Sequence, residues 1–180
     1  VQSALGEIGL TLDFWKIASY ETLWSDLVLK CANSGKELVI SMGLSTPREV
    51  RLAYSGKWPE SVSSAMWLHT VSQYPTPVAK ANLPRIGDLM HWFHNVGYSD
   101  HTRDAAIIQQ AVTRWGAYMV EFHFDLEDHQ GSESAHSYDR QGIEDCIASC
   151  RANESWDSWD SEERNCMRQP DGYRIKQELR

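Results

Sequence analysis

Five short apolar runs recur along the chain at a spacing that suits alternating strands and helices and little else. They open near residues 13, 37, 66, 96 and 118, intervals of roughly 22–30 residues, which is the cadence of βα units. Residues 12–19, 37–43, 65–72, 96–102 and 118–124 are apolar through their middles rather than alternating. Strands covered by helices on both faces show that pattern, so a parallel sheet is expected. The intervening segments switch to helical spacing. Leu23, Trp24, Leu27, Val28 and Cys31 form one stripe, Ile86, Leu89, Met90 and Phe93 a second, and Ala105, Ile108, Ala111, Val112 and Trp115 a third. Asn33-Ser-Gly35 stops the first helix, and Ser45-Thr-Pro47 starts another with a cap and an early proline. The run from Asp125 to Tyr138 reads as a long polar exit loop, and 139–153 as a last helix.

Five such units fit either an open doubly wound sheet or part of an eight-stranded barrel. No GxGxxG or GxxxxGK[ST] sequence is present, so nothing points to a dinucleotide or P-loop site. The strand ends favour the barrel. Lys16 and Ser19, Ser41, His69 and Ser72, Ser99 and His101, and Glu121 and His123 all fall at carboxyl ends. A barrel gathers those ends into one mouth, where its chemistry is done. The expected organisation is a partial βα barrel over residues 1–153 and an acidic C-terminal extension over 154–180.

Charge and cysteine usage narrow the function classes. Residues 1–120 carry ten acidic and ten basic side chains, whereas 121–180 carry fifteen acidic and seven basic, which produces the net charge of −8. A nucleic-acid footprint would be basic, so that class is set aside. No apolar run approaches the ~20 residues of a membrane span, and the first residues lack the basic and apolar regions of a signal peptide. Cys31, Cys146, Cys150 and Cys166 include no CxxC pair, so reduced thiols in a cytoplasmic protein are expected rather than a zinc site.

Two stretches concentrate the reactive groups: Asn95-Val-Gly-Tyr-Ser-Asp-His-Thr102 and Val120-Glu-Phe-His-Phe124. On neighbouring parallel strands, His101 and His123 project from one rim and can share a divalent metal, leaving positions open for substrate. The competing reading is two buried, hydrogen-bonded histidines. Asp100 and Glu121 flank them, either as orienters of the imidazoles or as partners of a Lys or Arg. Lys16 lies inside an apolar strand, where an unpaired ammonium is costly, so it calls for an anion. His129 and His136 in the exit loop read as solvated, and His69, His91 and His94 as structural.

Phe14-Trp-Lys-Ile-Ala-Ser-Tyr-Glu21, Ile40-Ser-Met-Gly43, Val71-Ser-Gln-Tyr-Pro-Thr-Pro77, Gly97-Tyr-Ser-Asp-His-Thr102 and Glu121-Phe-His-Phe124 resemble, in order and spacing, the sialic acid synthase family. The resemblance runs from about residue 12 to 136. It implies that these strands are the fourth to eighth of an eight-stranded βα barrel. The family's first three strands and its small antifreeze-like domain match no part of these residues. It further implies condensation of phosphoenolpyruvate with an N-acyl amino sugar such as N-acetylmannosamine, assisted by Mn²⁺ or Mg²⁺, in a homodimer. By the same resemblance His101 and His123 are the metal ligands. Lys16, Ser19, Ser41, Ser72 and Ser99 bind phosphoenolpyruvate, with Ser72 standing where several members have Asn. Glu21 handles protons and, with Tyr74, contacts the sugar; Lys16, Glu21 and His101 are the catalytic set. Glu133, in Gly131-Ser-Glu133, takes the place of a family Asp that binds sugar hydroxyls. Two other classes stay open: a non-catalytic partial barrel that binds a sugar phosphate or a partner subunit, and an aldolase using Lys16 as a Schiff base.

Overall fold

In a computed structural model, residues 11–53, 60–126, 131 and 133–152 are described. Six parallel strands follow one another in chain order: β1 (Phe14–Ile17), β2 (Glu37–Ser41), β3 (Met66–Thr70), β4 (Asn95–Asp100), β5 (Val120–Phe124) and β6 (Ser137–Tyr138). Between them lie α1 (Ser25–Ala32), α2 (Pro47–Ala53), α3 (Glu60–Ser63), α4 (Pro84–Leu89) and α5 (Ala105–Thr113), and α6 (Arg140–Ala152) comes last. Short 3₁₀ turns occupy Val78–Lys80 and Ser134–His136. The architecture is the expected partial βα barrel. Its one unforeseen strand is β6, inside the stretch read as exit loop, which pairs parallel to β5 through His123↔Ser137 and Phe124↔Tyr138. Two residues are too few for a periodicity to register in the sequence.

Burial follows position in the sheet. Beyond their first residues β2, β3 and β4 are wholly buried, while β1 and β5 are mostly half-exposed. Central parallel strands are covered on both faces, and the flanking ones only in part. Ile17, Ile40, Trp67, Val96 and Tyr98 join Val28, Val50, Ile86, Leu89 and Ala111 from the helices in one core. Trp67 stacks on Phe93 at 4.2 Å between centroids. Ile108, Tyr138 and Cys146 form a second cluster that seats α6 against α5.

The helix ends follow local chemistry. Pro47 and Pro84 open α2 and α4, where a missing N–H costs nothing. Asp104 caps α5 by accepting from the Ala106 amide at 2.9 Å. The helix read from Glu21 begins four residues later, because Glu21, Thr22 and Leu23 are spent in a turn. Gly97 is required by packing: a Cβ there would stand 2.5 Å from the Met119 carbonyl and 2.6 Å from Leu68. That lets β4 approach the residues leading into β5. Cys31, Cys146 and Cys150 form no disulfide among the described residues, and Cys166 lies outside them. The proposed extension 154–180 and His129 also lie outside them. Among the described residues no helix is long and apolar enough to cross a membrane.

Candidate functional site

Lys16 and Glu121 show how far the sheet curls. They sit on β1 and β5, with three strands between. In a flat sheet those strands would stand about 19 Å apart at ~4.8 Å per step. Yet the Lys16 ammonium lies 3.4 Å from Glu121 Oε1. The strands therefore bend round a shared interior, and their carboxyl ends face one another across a mouth.

Lys16 Nζ donates to Ser41 Oγ at 2.9 Å and to the Ile17 carbonyl at 3.2 Å, and it forms an ion pair with Glu121. The register Ser99↔Glu121 puts Ser99 directly across from that carboxylate, and Ser99 Oγ donates to Glu121 Oε1 at 2.9 Å. Thus the anion that Lys16 called for is at hand in Glu121. Ser19 Oγ accepts from the Gly43 amide at 3.0 Å. Ser72 Oγ is buried and has no hydrogen-bond partner among the described residues. Gly43 lies between them: a Cβ would run into Ser72 Oγ and come 2.8 Å from Thr70 and 3.0 Å from Ser19. Ser19, Ser41, Ser72 and Ser99 therefore do converge, around Lys16 and a bare glycine backbone. Thr22, which sequence reading passed over, anchors this wall by donating to the Ser41 and Ala18 carbonyls. Beside it a cavity of about 410 Å³ opens between the loops after β2 and β3, walled in part by Ser45, His69, Thr70 and Arg85.

The histidines form the other half. His101 Nδ1 lies 2.8 Å from the Val71 carbonyl, which can only accept. Nδ1 therefore carries the proton, and Nε2 keeps its lone pair for another partner. The His101 and His123 ring centroids are 5.1 Å apart. Burial, before any charge, pulls both pKa values down; for His123 the neighbouring His136 adds to the effect, and for His101 both His123 and His136 do. Both shifts favour the neutral form that ligates metals. Tyr74 covers the group, 4.1 Å from His101, 4.8 Å from His136 and 5.9 Å from His123 between centroids. Burial raises its phenol pKa.

Two readings require correction. His136 is not solvated: it is only 4% exposed, and its ring packs 4.5 Å from that of His123. Asp100 does not orient the histidines. Fully buried, it accepts from the Tyr98 and Tyr138 hydroxyls at 2.9 and 3.0 Å, from Thr102 at 2.7 Å and from the Arg103 amide at 3.1 Å. It is a structural hub between β4 and β6. Glu133 Oε2 stands 2.8 Å from His136 Nε2 and 3.3 Å from His123 Nδ1. Glu21 lies in the turn after β1, partly exposed, and nothing among the described residues bonds its carboxylate. One sequence signal marks the missed histidine: Glu133-Ser-Ala-His136 spans a 3₁₀ turn, in which residues i and i+3 eclipse.

A divalent metal fits this donor set. Neutral imidazoles with a free ring nitrogen and a nearby carboxylate are what such an ion needs. His101 and His123 would hold it, with Glu133 and His136 adjoining.

The sequence profile of the NeuB family matches residues 3–159. Pseudaminic acid synthase of Helicobacter pylori is 33% identical over 140 residues, which cover 77% of this chain and 41% of that protein. N-acetylneuraminate-9-phosphate synthase of Drosophila melanogaster is 35% identical over 137 residues, covering 74% of this chain and 37% of that one. The chain thus spans about two fifths of the length of these relatives. The crystal structure of an N-acetylneuraminic acid (sialic acid) synthetase from Leptospira borgpetersenii, in complex with citrate, superposes with a TM-score of 0.74 at 27% identity, over 99% of this chain and 60% of that one.

Proposed function

This chain belongs to the NeuB family, and from that premise we propose that it is the substrate-holding side of a nonulosonic acid synthase, condensing phosphoenolpyruvate with an N-acyl amino sugar. The single observation that carries the reading is the convergence of Lys16, Ser41, Ser99 and Glu121 at one end of the curled sheet, beside the His101 and His123 rings. Relatives named for pseudaminic acid, for N-acetylneuraminate 9-phosphate and for N,N'-diacetyllegionaminic acid share the likeness.

Phosphoenolpyruvate brings a phosphate and a carboxylate, and the Lys16 ammonium with the hydroxyls of Ser19, Ser41, Ser72 and Ser99 offers cation and donors for both. Glu121 holds Lys16 in place until the anion arrives. In the reaction, C3 of phosphoenolpyruvate attacks the aldehyde carbon of the open-chain sugar, water adds at C2, and phosphate leaves with cleavage of its C–O bond. A divalent cation, Mn²⁺ or Mg²⁺, when bound by His101 and His123, supplies Lewis-acid polarisation of the aldehyde oxygen. Tyr74 shields the histidines and meets the sugar, Glu133 offers its free carboxylate oxygen to sugar hydroxyls, and Glu21, from the turn after β1, takes or gives the proton. The rest of the contribution is positioning and charge placement. The ion pair with Glu121 gives Lys16 the role of an anion-binding cation, which favours this reading over a Schiff base at Lys16. The whole protein acts as a homodimer in the cytoplasm on this reading.

The test is phosphate release from phosphoenolpyruvate, with and without N-acetylmannosamine or a diacetamido sugar, in Mn²⁺ buffer. Sugar-dependent release, abolished by Lys16→Met and by His101→Ala, is the expected result. Undiminished release in either variant would refute the assignment. Phosphoenolpyruvate binding by calorimetry, weakened in Lys16→Met, reads the same site in the absence of turnover.

A further inference from the structure

We propose that the metal site of this chain is a three-ligand His123–Glu133–His136 cradle, with His101 as a fourth donor, and that it selects a transition metal over Mg²⁺. The inference rests on the metal-assisted reading above and changes who holds the ion and which ion it is.

One ligand atom from each of His123, Glu133 and His136 lies within 4.8 Å of the other two. Ligands bound at about 2.1 Å stand about 3 Å apart when adjacent around an ion and about 4.2 Å when opposite. Glu133 Oε2 to His136 Nε2 at 2.8 Å and to His123 Nδ1 at 3.3 Å are separations of adjacent ligands. Two elements supply them. His123 comes from β5, Glu133 caps the 3₁₀ turn, and His136 closes that turn immediately before β6. The β5–β6 pairing His123↔Ser137 ties His136 beside His123, and the eclipsed i, i+3 geometry turns Glu133 toward the same ring. His101 stands at the edge of the group, 5.1 Å from His123 and 6.1 Å from His136 between centroids. Its Nδ1 is bonded to Val71, so Nε2 is the atom on offer.

A buried imidazole has to earn its place. At 4% exposure the His136 ring bonds, among the described residues, an exposed carboxylate through Nε2, an arrangement that a cation would replace with a stronger one. Two histidines and one carboxylate leave several positions open for substrate, the pattern associated with Fe²⁺, and a nitrogen-rich set binds Mn²⁺ less well than Co²⁺ or Zn²⁺. Mg²⁺ wants six oxygens and competes poorly for imidazole.

The experiment titrates the full chain with Mn²⁺ alone, following loss of the free-ion electron paramagnetic resonance signal, and then adds Co²⁺, Zn²⁺ or Mg²⁺ as competitor. Wild type, His123→Ala, His136→Phe and Glu133→Gln are compared, with circular dichroism confirming the fold. Glu133 is 62% exposed, so Glu133→Gln decides the matter even if His136→Phe does not fold. The expected result is Mn²⁺ affinity weakened about tenfold or more in His136→Phe and in Glu133→Gln, with displacement by Co²⁺ and Zn²⁺ and none by millimolar Mg²⁺. Unchanged affinity in Glu133→Gln and His136→Phe alongside loss in His123→Ala would overturn the cradle and leave the ion on His101 and His123. Failure of the wild-type chain to bind Mn²⁺, or unchanged binding in His123→Ala, would sink the metal-assisted reading itself.

Discussion

Lowering the pH should unfold this protein partly through one buried histidine. His69 lies on β3, 1% exposed, with Nε2 2.8 Å from the Ala81 carbonyl. That carbonyl accepts, so Nε2 carries the proton. Nδ1 is buried with no hydrogen-bond partner among the described residues, so a second proton there is poorly accommodated. Burial first, and then the nearby Arg85 charge, pulls its pKa from 6.5 to about 4. A folded-state value below the unfolded one means that the unfolded chain holds more protons between those two pH values. The contribution is therefore complete above about pH 6.5 and is lost as the pH falls toward 4. At about 1.4 kcal/mol per pH unit, the limit is roughly 3 kcal/mol, and about 2–3 kcal/mol disappears between pH 7.5 and 4.5. Urea denaturation at those two pH values, on wild type and His69→Gln, isolates it. Gln can still donate to Ala81 but does not titrate, and the carboxylates common to both chains cancel in the difference. Wild type should lose about 2–3 kcal/mol more than the variant over that interval. Equal losses would refute the account.

Asp100→Ala strands two buried tyrosine hydroxyls and the Arg103 amide, and should cost roughly 3–5 kcal/mol in urea denaturation; a loss below about 1 kcal/mol would deny Asp100 its place as hub. Gly97→Ala forces a methyl against the Met119 carbonyl and should lower stability by about 1–3 kcal/mol, a value an unchanged denaturation midpoint would contradict. Gly43→Ala pushes on Ser72, Thr70 and Ser19 together. It should weaken phosphoenolpyruvate binding measured by calorimetry far more than it lowers the melting temperature, and wild-type affinity would show that the serine wall is not the binding surface.

Much of the fold was legible because it is written in local pattern. The five main strands coincide with the apolar runs to within one residue, and the helical stripes of Leu27, Val28 and Cys31 and of Ile86 and Leu89 turn to the core or its margin. Parts of the site were legible for the same reason: a polar residue at the end of a buried strand has few places to go except the mouth, so Lys16, Ser41, Ser99 and His101 could be named in advance. What stayed hidden depended on partners far along the chain. Lys16 and Glu121 are 105 residues apart by number, and no local rule pairs them. His136 looked solvated because its surroundings in sequence are polar, yet the β5–β6 pairing carries it under Tyr74 and beside His123.

Strand and helix positions, the parallel sheet and the reactive rim follow from hydrophobic period and residue type, which act over a few residues at a time. Curl of the sheet, the choice of Asp100 as a hub rather than an orienter, and the gathering of His123, Glu133 and His136 were decided only in three dimensions. These arise from closure of β1 toward β5 and from a two-residue strand whose pairing energy comes from its neighbours. Such contacts have no signature until the chain that separates their members has folded.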